Sequence, residues 1–390
     1  MRHHWTLDPQ ICFLNHGSYG ACPKVVQERQ AAFRAQMESE PVRFMGRELP
    51  PLVEAARQAL AALVKCAPTE LALIRNATTG VNSALLSFPL HAGDEVLVTD
   101  HEYNACRNAL DRRIADTGAT LRLITLPFPL RHEDEIVNCI LAAVGPKTRL
   151  LLIDHVTSPT ALVLPVQRIV PALRAKGVEC IVDGAHAPGM VPLDLAALGA
   201  AFYTGNCHKW LCAPKGTAFL RVREDFIARA RPAVTSHGFN QPVGAKSRFL
   251  MEFDWFGTDD YTSWCTLPTA LDFMNGLMPG GLNAVMAANR LKALAARAML
   301  NESLGAEPVA PESLIGTFAS IRVPDQERAA ANGAFEPEAL GERLFTEHKI
   351  EVPVVVFPRA PQRMVRISAQ IYNTMSEYER LARALKTIFK

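Results

Sequence analysis

Between about residues 50 and 225, short apolar runs of β type alternate with segments of helical period: LVEAARQALAALVK, EVLVTD, NACRNALDRRIADTG, TLRLITL, RLLLIDHVT, VQRIVPALRAKG, VECIVDG and TAFLRV. That alternation predicts an α/β fold built on a mainly parallel sheet, of seven-stranded type, with helices on both faces. RLLLIDHVT and VECIVDG are apolar throughout rather than alternating, as in strands covered on both sides. A break at Pro279, Gly280 and Gly281 precedes a long Ala-rich helix. After it come TFASIRV, a helix near 337 to 348, VPVVVF, RMVRISAQIY and a closing helix, which read as a small α+β domain. The expected division is a large domain over 21–278 and a small one over 279–390, with residues 1–20 as an arm joining the latter; the stretch 324–338 is expected to be a surface loop. A chain of 390 residues, 49% hydrophobic, is long enough for two such cores.

Composition narrows the function. The net charge is +2, and Lys and Arg are interleaved with Asp and Glu without a basic block, which argues against a nucleic-acid partner. The opening MRHHWTLDPQ lacks the apolar core of a signal peptide and no apolar run is long enough to span a bilayer, so no membrane partner and a cytoplasmic location are expected. Nine cysteines without a CxxC pair read as small buried hydrophobes in a reducing compartment.

Several residues carry possible chemistry. Lys209, in TGNCHKW, follows an apolar run and falls just beyond a strand end, where open α/β sheets bind ligands. Burial there lowers a lysine's pKa and makes its amine nucleophilic, although such a lysine can also be a solvated surface residue. Asp183, in IVDGAHAPG, ends another buried strand. A carboxylate so placed can pair with a protonated pyridine nitrogen; its other reading is a helix cap. Asn76-Ala-Thr-Thr-Gly80 opens a helical segment and offers hydroxyls and N–H groups to a phosphate, or an ordinary N-cap. Tyr103, in HEYNA, can cover a flat ring or pack in the core. Arg366 lies in an otherwise apolar strand and wants a carboxylate, either a substrate's or an internal one.

Seven motifs in order resemble the class V aminotransferase family, and within it the isopenicillin N epimerase-like and ergothioneine-pathway C–S lyase-like subfamily. They are FLNHGSYGACP (13–23), EPVRFMGRE (40–48), NATTGVN (76–82), DHEYNA (100–105), VDGAHAPG (182–189), GNCHKWLCAPKG (205–216) and RISAQIYNT (366–374). The resemblance implies the fold type I of pyridoxal 5'-phosphate (PLP) dependent transferases. It implies Lys209 as the covalent cofactor anchor and acid/base, Asp183 at the pyridinium, and Tyr103 over the ring. His186 and Ser158 would face the ring hydroxyl, while Thr78, Thr79, Asn206 and His208 take the phosphate side. Thr258 would reach the phosphate of the neighbouring subunit in a homodimer with shared active sites. Arg366 would grip the substrate α-carboxylate, with Asn15 and His16 closing over the substrate. Residues 312–390 contain no Cys, unlike cysteine desulfurases, which disfavours persulfide chemistry.

The implied activity is PLP chemistry at Cα of an amino acid. Epimerisation is the main reading, C–S cleavage of an S-substituted cysteine or its sulfoxide the alternative, and transamination a further one. A catalytically silent PLP-fold binding protein is a non-enzyme alternative. A metal hydrolase using His101, His155, His186 and His208 lacks tight ligand spacing, so no metal is expected.

Overall fold

The computed structural model describes residues 1–325 and 338–389, so most of the expected loop at 324–338 lies outside the described residues. Its strands are β1 (Cys12–Phe13), β2 (Leu71–Ile74), β3 (Glu95–Thr99), β4 (Thr120–Ile124), β5 (Thr148–Asp154), β6 (Glu179–Asp183), β7 (Phe202–Asn206), β8 (Ala218–Val222), β9 (Phe318–Val323), β10 (Ile350–Glu351), β11 (Val354–Val356) and β12 (Arg363–Ser368). Seven of them form one sheet in the order β2-β8-β7-β6-β5-β3-β4. Pairs from β4 through β7 run parallel, whereas β8 runs antiparallel to both β7 and β2.

The uniformly apolar strands are explained by burial on two sides. Leu151, Ile153 and Val182 enter one core cluster, and their chain neighbours Leu150, Leu152 and Ile181 enter another on the opposite face. Side chains alternate across a strand, so a strand with both faces covered must be apolar at every position. Helices Leu49–Val64, Asn104–Thr117 and Val166–Arg174 fall on the predicted segments.

A second sheet, β11-β12-β9, is antiparallel, with Arg366 opposite Ser320. The predicted break falls at the N-terminus of helix Gly281–Leu304, where Gly280 takes φ +92°. A side chain is strained at that φ, so glycine suits the turn. The N-terminal segment joins this end of the molecule, because β1 pairs in parallel with β10 and Cys12 lies opposite Ile350. All nine cysteines are free. Among the described residues no helix is long and apolar enough to cross a membrane.

Candidate active site

The parallel strands deliver their C-terminal ends to one edge, where ligands of open α/β sheets bind. A cavity of about 550 Å³ opens there, and Thr78, Tyr103, Asp154, Ser158, Asp183 and Lys209 are among the residues lining it. Lys209 is carried by the turn after β7, which is fixed by backbone bonds from Cys207 N to the Thr217 carbonyl and from Ala213 N to the Cys207 carbonyl. The Lys209 Nζ lies 3.0 Å from His186 Nε2. Burial first, and then the Arg366 charge, bring the Lys209 amine down to about 7, against the pull of Asp183, Asp154 and Cys106. An amine so poised is a nucleophile and proton carrier near neutral pH. Burial likewise holds His186 well below its ordinary value, so its imidazole is neutral beside the lysine.

Asp183 ends β6 and is buried. Its Oδ1 accepts the Ala185 N–H at 2.9 Å and its Oδ2 accepts the Cys106 thiol at 3.1 Å. Desolvation raises its pKa, so a cation placed against it would be strongly held. Tyr103 precedes helix Asn104–Thr117, lines the cavity and is 45% exposed, which leaves its ring face open to a ligand.

The opposite end of the cavity is built on helix Ala77–Ser87. Asn76 caps it by accepting the Thr79 N–H at 2.9 Å, and Thr79 Oγ1 donates to the same oxygen at 3.1 Å. Thr78 lines the cavity, but Thr79 spends its hydroxyl on the cap and does not. Of the two threonines expected on the phosphate side, only Thr78 lines the cavity. Gly80 allows the helix to press on β7, since a Cβ there would come 2.3 Å from Thr204 Oγ1. Asn206 accepts the Ala77 N–H at 2.9 Å through Oδ1, and His208 keeps a buried Nδ1 without a partner.

Arg366 approaches from β12. Its guanidinium donates to the Ser158 carbonyl, to Ser158 Oγ at 3.2 Å and to Ser18 Oγ at 3.2 Å. Its Nε is buried with no acceptor, and among the described residues no carboxylate pairs with it. The internal salt bridge considered from sequence is therefore absent there. Ser158 is engaged with Arg366 and also lines the cavity.

His16, expected to close over the substrate, lies behind the Lys209 turn. It is fully buried and does not reach the cavity surface. Its Nε2 meets the Lys209 carbonyl at 3.0 Å and its Nδ1 the Tyr372 hydroxyl at 2.8 Å. A carbonyl only accepts, so Nε2 carries the proton and Nδ1 accepts from Tyr372. His16 thus pins the lysine's backbone from behind. The same arm brings Gly20 so close that a Cβ would lie 2.0 Å from the His208 carbonyl, at φ +71°. Asn15 is likewise off the cavity, donating to Glu351 Oε1 at 2.8 Å and accepting from Ser18 Oγ at 2.6 Å. Ser18 and Tyr19, between these, do line it. Thr258 is exposed on a separate cavity with Val42, Met45 and Trp255.

Glu102, Cys106 and Asp154 were not singled out from sequence. The available signal for Asp154 was its place at the end of the RLLLID run; Glu102 abuts Tyr103 in the HEYNA motif. The four histidines of the metal reading do not converge. Among the described residues, the potential ligands that gather are Glu102, Cys106 and Asp183, and the thiol is pushed well up by burial and by the carboxylates around it.

A family model described as aminotransferase class-V matches residues 11–381. The chain belongs to the class-V aminotransferase family. Isopenicillin N epimerase of Amycolatopsis lactamdurans is 39% identical over 401 residues, spanning 99% of this chain and 97% of that one. Putative L-cysteine desulfhydrase 1 of Oryza sativa subsp. japonica is 30% identical over 409 residues, spanning 97% and 83%. A solved structure of a C-DES variant with glycine covalently linked to its PLP cofactor matches with TM-score 0.82 at 23% identity, covering 99% of this chain and 98% of that one. That likeness shows the fold. As a member of the family, this chain is a PLP-dependent enzyme.

The residues fit the cofactor. A buried carboxylate with raised proton affinity suits a pyridinium, a partly exposed tyrosine suits a ring face, and a poised lysine suits an aldehyde. Thr78, the N-terminus of helix Ala77–Ser87, Asn206 and His208 form a polar end that suits a phosphate.

Proposed function

We propose that the enzyme acts at Cα of an amino-acid substrate and inverts its configuration, as its 39% identity over nearly the whole length to isopenicillin N epimerase supports. Bound in this cavity, the cofactor supplies an aldehyde that captures the substrate amine and a ring that withdraws electrons from Cα. Lys209 would anchor it and then, once displaced by substrate, take the Cα proton at Nζ. The lowered pKa makes Nζ both a competent base and a competent acid near pH 7. His186, 3.0 Å away and neutral, adds no positive charge beside that amine. Asp183 would hold the ring nitrogen's proton, Tyr103 would cover the ring, and Thr78, Asn206 and His208 would take the phosphate. The single observation that carries the substrate assignment is Arg366: a buried guanidinium held against the cavity-lining Ser158 and Ser18, with an Nε that has no acceptor and no carboxylate partner among the described residues. It would bind the substrate α-carboxylate, with Ser158 and Ser18 holding its fork in place.

We also propose a homodimer with shared sites. Thr258, exposed and outside this cavity, would serve the partner's phosphate. Val42 at 74%, Phe239 at 61% and Val243 at 59% exposure supply apolar surface for such a contact. C–S cleavage is the second reading, supported by the 30% identity to a putative L-cysteine desulfhydrase.

The test is incubation in D2O with isopenicillin N, free amino acids and S-substituted cysteines, followed by NMR, chiral analysis and pyruvate assay. Inversion with solvent deuterium at Cα and no pyruvate is expected. Pyruvate release without inversion would replace the epimerase reading with the lyase, and amino transfer to a keto acid would replace both.

A further inference from the structure

The two oxygens of Asp183 are served from two different parts of the fold. Oδ1 accepts the Ala185 N–H at 2.9 Å, from the turn that follows β6, and Oδ2 accepts the Cys106 thiol at 3.1 Å. Cys106 lies 77 residues earlier in the chain, in the first turn of helix Asn104–Thr117, and its own N–H is held by the Tyr103 carbonyl at 2.9 Å. One helical turn therefore carries both the tyrosine proposed to cover the ring and the thiol that reaches the carboxylate. Cys106 is 0% exposed and Asp183 1%, so water does not compete for the bond.

This thiol differs from the others. Cys12 and Cys139 reach backbone carbonyls, each at 3.6 Å. Cys180 and Cys207 are as deeply buried as Cys106, and among the described residues their sulfurs meet no hydrogen-bond partner. A Glu102 oxygen lies within 4.8 Å of both the Cys106 sulfur and an Asp183 oxygen, so two acids flank the thiol. Burial and those carboxylates push it well up, which keeps it protonated and makes it the donor. A thiol donates weakly. It can fix where Oδ2 points while drawing off little of the carboxylate's charge, whereas a strong donor to the ionised form would lower its proton affinity. An ionised carboxylate has about four lone-pair sites, so with one taken on each oxygen, a further site is left for the ring N–H.

We propose that Cys106 is a positioning residue: its thiol sets the direction of Asp183 Oδ2 and leaves the carboxylate's charge to the protonated ring nitrogen. The thiol contact stands on the apoprotein alone; its consequence at the ring rests on the PLP reading above. Cys106 also belongs to the apolar cluster on one face of the sheet, with Val98 and Leu110, so a purely space-filling role has to be separated from this one.

Three variants make that separation. Cys106→Ala removes the donor, Cys106→Ser keeps one, and Cys180→Ala empties a comparably buried site whose thiol has no acceptor. In the apoprotein, infrared difference spectra between each parent and its alanine variant isolate the S–H stretch of the missing thiol. The Cys106 band is expected at lower frequency than the Cys180 band, and in an Asp183→Asn background it should move up. Coincident Cys106 and Cys180 bands would overturn the thiol contact. In the holoenzyme, nitrogen NMR of PLP labelled at the ring nitrogen gives the midpoint at which the ring loses its proton. Removing a weak donor returns little charge to Asp183 but frees it to turn. Cys106→Ala should therefore lower the midpoint by about one pH unit, the scale of one hydrogen bond to a charged group. Cys106→Ser should recover most of that loss. In an Asp183→Asn background Cys106→Ala should shift the midpoint no further, because the thiol acts only through that carboxylate. A midpoint unchanged or raised in Cys106→Ala, or an equal fall in the Asp183→Asn background, would overturn the positioning role; a lowered melting temperature with no shift at the ring would make Cys106 a core-filling residue. If wild type binds no PLP, the cofactor reading fails and the role at the ring with it, while the infrared bands still decide the thiol contact.

Discussion

At the ends of β5 and β6, acids crowd together; on β12, Arg366, held against the cavity-lining Ser158 and Ser18, has no acid partner among the described residues. The two walls handle buried charge by opposite means. On the acidic wall, Glu102, Asp154 and Asp183 gain proton affinity, so the protonation there answers to whatever cation arrives. On the basic wall, burial lowers Arg366 only to about 10, so it stays charged; its terminal nitrogens donate to the neutral oxygens of Ser158 and Ser18 while Nε has no acceptor among the described residues. Lys209, between them, feels both walls. A cationic ring and an anionic substrate group thus have separate walls prepared for them, and the one group that must change protonation stands in the middle.

The largest expected effect comes from removing the charge on the acidic wall. Asp183→Asn keeps the shape and the Ala185 contact but should lower Cα–H exchange by about 10² to 10³, the scale of losing one preorganised electrostatic partner. Bound PLP should be retained. Exchange within a few-fold of wild type, measured by deuterium incorporation, would mean that Asp183 does not face the ring nitrogen.

The basic wall should give a smaller and more selective effect. Arg366→Lys and Arg366→Ala should each cost about 1.5 to 3 kcal/mol of substrate binding, as charged hydrogen bonds do, and a flexible ammonium cannot reproduce the fork. The loss should appear with an amino acid and not with its decarboxylated amine. Equal weakening of both substrates in a binding titration would assign Arg366 to structure alone.

The smallest effect is a pH profile. Lys209 titrates near 7, so uptake of the cofactor aldehyde by apoprotein should fall about tenfold for each pH unit below that value and level off above it. The sign for stability follows from the same shift. The folded value lies below the usual lysine range, so this group's stabilising contribution is present above about 10.4 and is lost as pH falls toward 7. A stopped-flow profile with its midpoint near the ordinary lysine value would remove the electrostatic link between the two walls.

Much of this was legible in the chain. The alternation over 50–225 produced the sheet, and the apolar strands followed from two covered faces. The antiparallel β8 was not legible, since TAFLRV carries no mark of direction. Of the residues singled out, Lys209, Asp183, Tyr103, Thr78, Ser158, His186, Asn206 and His208 share one cavity. Thr79, Asn15, His16, Arg366 and Thr258 do not line it, and the first three each meet a local need: a helix cap, a contact with Glu351, and support of the Lys209 backbone. A motif marks where a residue is wanted and is silent on which way its side chain turns.

By itself, the sequence determined the family, the strand-ending positions of Asp183 and Lys209, and the residue types able to serve PLP, because these depend on local pattern and on chemistry carried by single side chains. The tertiary structure decided the charge states. Glu102, Asp154 and Asp183 lie far apart in the chain, and only the parallel register of β5 on β6, with the turn before helix Asn104–Thr117, brings their carboxyls together out of water. Proton affinity depends on burial and on neighbours, and both are properties of the folded arrangement.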